Sequence, residues 1–103
     1  LRDSDVSDTV IELARLMKHP EADQRKRMVK KVLESGENPV SWLRALSVDP
    51  VPSVRIAVAQ GAFESGEPAL HALLKRMERF DPSPEVRKAA QRLLTVRVSN
   101  LNE

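Results

Sequence analysis

The chain has 103 residues, 31% of them charged, with no cysteine and a formal net charge of +2. That is the scale of one domain with one modest core; disulfides are excluded, and so small a net charge favours no class of partner. No uncharged run approaches a membrane span and no basic, apolar leader opens the chain, so no membrane contact and a cytoplasmic setting are expected.

Residues 1–8, which include Arg2, Asp3 and Asp5, read as a frayed lead-in, and the start at Leu1 suggests one domain of a longer chain. Thr9-Val10-Ile11-Glu12 fits a capping box, with Ser7 or Asp8 as alternative caps. Val10, Leu13, Ala14, Leu16 and Met17 then fall on one helical face. Pro20 ends that helix, because it lacks an amide hydrogen and restricts His19 before it. A second helix runs from about Glu21 to Glu34 and closes at Gly36. The cycle repeats with a short helix from Pro39 to Ser47, the breaker Asp49-Pro50-Val51-Pro52, a fourth helix to about Glu64 and a close at Gly66. Pro68 to Arg79 forms the fifth helix on a stripe of Leu70, Leu73, Leu74 and Met77. Asp81-Pro82-Ser83-Pro84 breaks it, a sixth helix follows from Glu85 to about Val96, and residues 98–103 read as a tail or linker. Trp42, Phe63 and Phe80 are the only aromatic residues, so the core must be aliphatic.

These elements are one unit repeated. Asp49-Pro50-Val51-Pro52-Ser53-Val54-Arg55-Ile56-Ala57 recurs as Asp81-Pro82-Ser83-Pro84-Glu85-Val86-Arg87-Lys88-Ala89 and, more loosely, as His19-Pro20-Glu21-Ala22-Asp23-Gln24-Arg25-Lys26-Arg27. The first two copies, from His19 and from Asp49, both end on Glu-Ser-Gly. A period of about 30 residues with two helices per period marks a stacked helical array. The expected fold is all-α: three antiparallel helix pairs in a short right-handed α-solenoid over residues 9–97, with repeats of about 9–36, 37–66 and 67–97.

The Asp-Pro-x-Pro-x-Val-Arg-x-Ala pattern at 49–57 and 81–89, followed in the second repeat by Gly66-Glu67-Pro68-Ala69-Leu70, resembles the HEAT-repeat family. The short period is closest to the subtype seen in phycobilisome-lyase-like proteins. The resemblance implies a polar ladder between turns and neighbouring repeats in which Asp49 with Arg55, and Asp81 with Arg87, are structural residues, and that the second helix of each pair lines a concave surface. The first copy departs from the pattern, with His19 for the Asp and Gln24 for the Val. On the face where the second copy has Val54, Ala57 and Gly61, the first has Gln24, Arg27 and Lys31, as a polar N-terminal cap would.

Candidate sites follow from the same alignment. The outward column of the second helices is Lys26, Ile56 and Lys88, then Lys30, Gln60 and Arg92. An apolar Ile56 rimmed by basic groups suits an acidic peptide with a hydrophobic anchor. Phe63 either joins that spot or turns inward above Gly61, and Trp42 is either an interface anchor or a half-buried edge of the core. Arg25, Lys26, Arg27, Lys30, Lys31, Lys88 and Arg92 offer a phosphate-tracking stripe for nucleic acid, although Glu21, Asp23 and Glu34 interrupt it and no aromatic side chain is interleaved to stack on bases. His19 stands in a turn, where it can replace the missing aspartate, and His71 is expected on an exposed first turn. No metal-ligand spacing, nucleophile motif or phosphate-cradling loop occurs, so no metal, cofactor or catalytic residue is expected. The functional expectation is a non-catalytic protein-interaction module binding on its second-helix face. A nucleic-acid surface is one alternative, and an accessory subunit of a lyase-like enzyme, implied by the resemblance alone, is another.

Overall fold

A computed structural model describes residues 8–101. They form six α-helices with no strand among the described residues: α1 (Asp8–Met17), α2 (Ala22–Glu34), α3 (Pro39–Leu46), α4 (Pro52–Ser65), α5 (Pro68–Phe80) and α6 (Pro84–Leu101). Residues 1–7 of the expected lead-in and 102–103 of the expected tail lie outside the described residues. α6 continues through 98–101, part of the expected tail, because no Gly or Pro follows Pro84 to stop it.

The helix ends are set by local chemistry. Pro39, Pro52 and Pro68 each begin a helix, where a missing amide hydrogen costs nothing. Asn38 adds a side-chain cap, its Oδ1 accepting from the Val40 amide at 3.0 Å. The recurring Glu-Ser-Gly closes two helices in the same way. Ser35 Oγ donates to the Val32 carbonyl at 2.9 Å and accepts from the Glu37 amide at 3.1 Å. Ser65 Oγ does the same between Ala62 and Glu67, at 3.2 and 3.1 Å. The glycine after each serine takes a left-handed conformation, φ 83° at Gly36 and 72° at Gly66. The expected capping box at Thr9 and Glu12 is displaced. α1 already includes Asp8 and Thr9, and the Glu12 carboxylate accepts from Lys31 Nζ of α2 at 2.6 Å; the alternative cap Ser7 lies outside the described residues.

α4 is the central helix and packs on α2, α3, α5 and α6. Its buried residues, Val54, Arg55, Val58, Ala59, Gly61 and Ala62, cover one arc of about 160°, broader than a narrow stripe, while Ser53, Gln60 and Glu64 face water on the other side. α1 packs on α2, and α5 packs on α3, α4 and α6. Leu13, Met28, Val32, Leu43, Val58, Leu70, Leu74 and Val86 form the aliphatic centre, and Trp42, Ile56 and Phe63 pack against it half-buried. The shortest dimension is 17 Å, which accommodates two layers of helices at their usual spacing of about 8–10 Å.

α4 approaches α2 closely at Gly61. A Cβ there would lie 2.5 Å from Val29 Cγ1 of α2 and 3.6 Å from Leu33 Cδ1 and Leu43 Cδ1. Only a residue without a side chain lets α4 lie this close to α2. The matching position in α2 is Lys31 and is exposed, and Arg27, which matches Ala57, is exposed too. Thus α2 presents polar side chains where α4 presents its notch to a neighbour.

A polar ladder joins successive turns. Arg25 donates from Nε to Asp49 Oδ2 at 2.7 Å and from NH2 to Asp49 Oδ1 at 3.2 Å. Arg55 meets Asp81 in the same bidentate geometry, at 2.9 and 3.2 Å. Each arginine also reaches back with NH1 to the carbonyl of its own turn: Arg25 to His19, Arg55 to Asp49 and Arg87 to Asp81. The carboxylate pairing therefore runs from one turn to the next, Arg25 to Asp49 and Arg55 to Asp81, while Asp49 with Arg55 and Asp81 with Arg87 meet through the backbone carbonyl. The carboxylate is turned away by its second task, since Asp49 Oδ1 accepts from the Val51 amide and Asp81 Oδ1 from the Ser83 amide, both at 2.9 Å. His19 performs that task in the first turn, its Nδ1 accepting from the Glu21 amide at 3.0 Å. Burial alone would push the Asp49 carboxyl up. The Arg25 hydrogen bonds, the Val51 amide and the charges of Arg25 and Arg55 outweigh it and hold the group below its ordinary value.

Candidate functional site

α2 and α4 border a surface groove of about 310 Å³. Lys26, Lys30, Gln60 and Glu64 stand around it, and Val29, Ala57 and Gly61 supply apolar surface. Gly61 lies in its floor, where α4 closes on Val29 of α2. Three of the six expected partner-binding residues, Lys26, Lys30 and Gln60, are brought together here. Lys88 and Arg92 are exposed on α6 and do not line it. Ile56 does not line it either: it is half-buried and packs against the core, so it offers this surface no free apolar anchor.

The charges of this face differ in how far they are committed. Among the described residues neither Lys30 nor Arg92 has an ion-pair partner. Lys88 interacts with Glu85, whose carboxyl is held below the usual range first by its own backbone amide and the Ser83 hydroxyl, then by Lys88 and Arg87. The longer basic stripe is thinned further. The Arg25 side chain is only 12% exposed and engaged in the ladder, and Lys31 is paired with Glu12. An exposed pair such as Lys31 with Glu12 adds little stability, but it does lower the charge offered to a phosphate backbone.

A second groove, of about 380 Å³, lies between the end of α3, the outer face of α5 and the turn that follows α5. It was not anticipated from the sequence. Val48 and Phe80 border it at 81% and 71% exposure, the highest values among the exposed large hydrophobic residues. Leu73 and Met77 contribute further apolar surface, Arg44 and Arg76 stand alongside, and the Arg79 guanidinium lies 5.7 Å from the Phe80 ring centroid. The signal was in the repeat. Counted back from each turn, the residue just before His19, Asp49 and Asp81 is Lys18, Val48 and Phe80, apolar only in the second and third copies.

The histidines stay apart. His19 serves its turn, and His71 is half-buried rather than exposed, its Nδ1 enclosed without a hydrogen-bond partner among the described residues. Among the described residues no group of three His, Cys, Asp or Glu is placed to hold a metal, and no helix is long and apolar enough to cross a membrane. Comparison of the chain with family models, with curated proteins and with solved structures finds no match.

Proposed function

We propose that the chain is a short right-handed array of HEAT-type helix pairs that works as a non-catalytic protein-interaction module. In this reading the α2–α4 groove and its continuation at Lys88 and Arg92 hold an acidic protein surface. The observation that carries it is the groove between α2 and α4, which gathers Lys26, Lys30 and Gln60, with Glu64 at its side, over a small apolar strip while leaving the Lys30 ammonium without an intramolecular partner among the described residues. Burial of Ile56 moves the reading from an anchored peptide toward electrostatic recognition of carboxylates on this face.

The test is fluorescence anisotropy of a short labelled peptide of Asp and Glu, beside labelled single- and double-stranded oligonucleotides, at about 50 and 200 mM salt. Peptide binding that falls at least about tenfold on Lys30→Glu with Arg92→Glu supports the reading, since like charges facing one another oppose association. Equal affinity of the doubly reversed variant for the peptide would remove this face from the function. Oligonucleotide binding that survives the higher salt while the peptide fails to bind would replace the reading with a nucleic-acid surface.

A further inference from the structure

We propose that the α3–α5 groove is a second docking site, taking an acidic segment of another protein that inserts one bulky apolar side chain between Val48 and Phe80. It shares no lining residue with the α2–α4 groove and does not depend on the function assigned there.

The argument begins with exposure. A phenylalanine left 71% exposed at the end of a helix contributes little to folding, because most of its apolar surface still faces water. Val48 at 81% contributes even less. The two occupy the same place in successive repeats, directly before the turn aspartate, so the repeat geometry sets them on either side of one groove. Leu73, partly exposed, adds aliphatic surface that a bulky side chain can cover, and buried Met77 backs the groove from beneath. Exposed aromatic surface backed by packed aliphatic side chains has the composition of an interface anchor site.

Charge identifies the occupant. Arg44 and Arg76 occupy matching places, five residues before Asp49 and Asp81, and both line the groove. Arg79 lies over the Phe80 ring. All three are exposed, and none has a carboxylate partner among the described residues. The one carboxylate in the lining, Asp81, is already taken by Arg55 and the Ser83 amide. The groove therefore offers apolar surface and two guanidinium groups in its lining, with a third against the Phe80 ring, and no acid to answer them. A basic or neutral segment would leave those charges facing nothing, whereas Asp or Glu beside the inserted side chain would pair with them in bidentate fashion. The first copy lacks the device, with Lys18 in place of the apolar residue and Ala14 in place of the arginine. The site is thus confined to the second and third repeats.

The experiment is selection of binders from a displayed library of random peptides on the intact chain, followed by anisotropy of the winners on variants. The expected winners carry one Leu, Phe or Trp among Asp and Glu. Their affinity should drop at least about thirtyfold, the range of an interface hot spot, on Phe80→Asp and again on Arg44→Glu with Arg76→Glu. Lys30→Glu with Arg92→Glu should leave them unchanged, which separates this site from the α2–α4 groove. Val48→Asp, at a position with little packing to lose, guards against a folding artefact at Phe80. Winners that lack either the apolar residue or the acids, winners that bind Phe80→Asp and Val48→Asp as tightly as the parent, or no enrichment at all would overturn the proposal. So would a dimer in sedimentation that Phe80→Asp dissolves, since the occupant would then be a second copy of the chain.

Discussion

Gly61→Ala tests the packing that shapes the α2–α4 groove. In an exposed helix interior the change stabilises by about 1 kcal/mol, because alanine restricts the unfolded backbone and favours the helix. Here the new methyl would lie 2.5 Å from Val29 Cγ1, well inside the 3.4 Å at which ordinary contact begins. Val29 is 5% exposed and β-branched, so it cannot swing aside without leaving its preferred helical rotamer. Overpacking of this kind costs about 1–3 kcal/mol, so the net expectation is a loss of roughly 0–2 kcal/mol once the helix gain is subtracted. Val29→Ala alone should cost about 2–3 kcal/mol, two buried methyl groups plus the space they leave. In the double variant the methyl added at position 61 occupies that space, the strain is gone and the helix gain remains. The double change should therefore be at least about 1 kcal/mol less damaging than the sum of the singles. Urea unfolding followed by the fluorescence of the single tryptophan, half-buried Trp42, and by helical circular dichroism reads all four corners of the cycle. Additive singles, or Gly61→Ala that stabilises by the full helix increment, would refute the close approach of α4 to α2.

The ladder makes two further predictions. Arg55→Met leaves the Asp81 carboxylate buried without its charge partner and should cost about 3–5 kcal/mol, whereas Arg87→Met, which breaks one bond to a carbonyl, should cost nearer 1 kcal/mol; equal losses in thermal unfolding would contradict the assigned pairing. Because the Asp49 carboxyl titrates below its ordinary value of 3.8, its contribution is present above that pH and lost as the pH falls through the depressed value. Asp49→Asn should therefore be less stable than the parent near neutrality, with the gap closing under acid; a gap independent of pH would mean that the Asp49 charge is not what matters.

The helix boundaries were legible because Pro and Gly act within a residue or two of where they stand. Pro20, Pro39, Pro52 and Pro68, with Gly36 and Gly66, punctuate the chain wherever it is read. The ladder residues Asp49, Asp81, Arg55 and Arg87 were legible as well, since repetition exposes them, but the assignment of Arg25 to Asp49 was not. It depends on the distance between successive turns, which no local pattern encodes, and on the aspartate serving its own turn amide first. Ile56 shows the limit of reading one copy from the others. Its register partners Lys26 and Lys88 carry ammonium groups that must reach water, whereas an isoleucine at the same angle folds down onto the core. The α3–α5 groove escaped notice for a related reason. α5 has 13 residues and α3 has 8, so helices aligned from their starts no longer match at their ends, and the kinship of Val48 with Phe80 appears only when counting back from the turn.

The ladder also decides where the molecule can bend. Along the edge formed by His19, Asp49 and Asp81, sliding one turn past the next means breaking a bidentate ion pair and a carbonyl bond on the same guanidinium. Away from that edge, neighbouring helices are held largely by non-directional apolar contact, which tolerates small rotations with little loss. The turn edge therefore resists displacement more than the apolar faces do, because its bonds are directional and charged. A ligand seated beside Asp81 and Pro82 meets the part of the molecule that yields least. One lying between α2 and α4 instead meets a gap whose width is set by apolar packing, at Gly61 on Val29 above all.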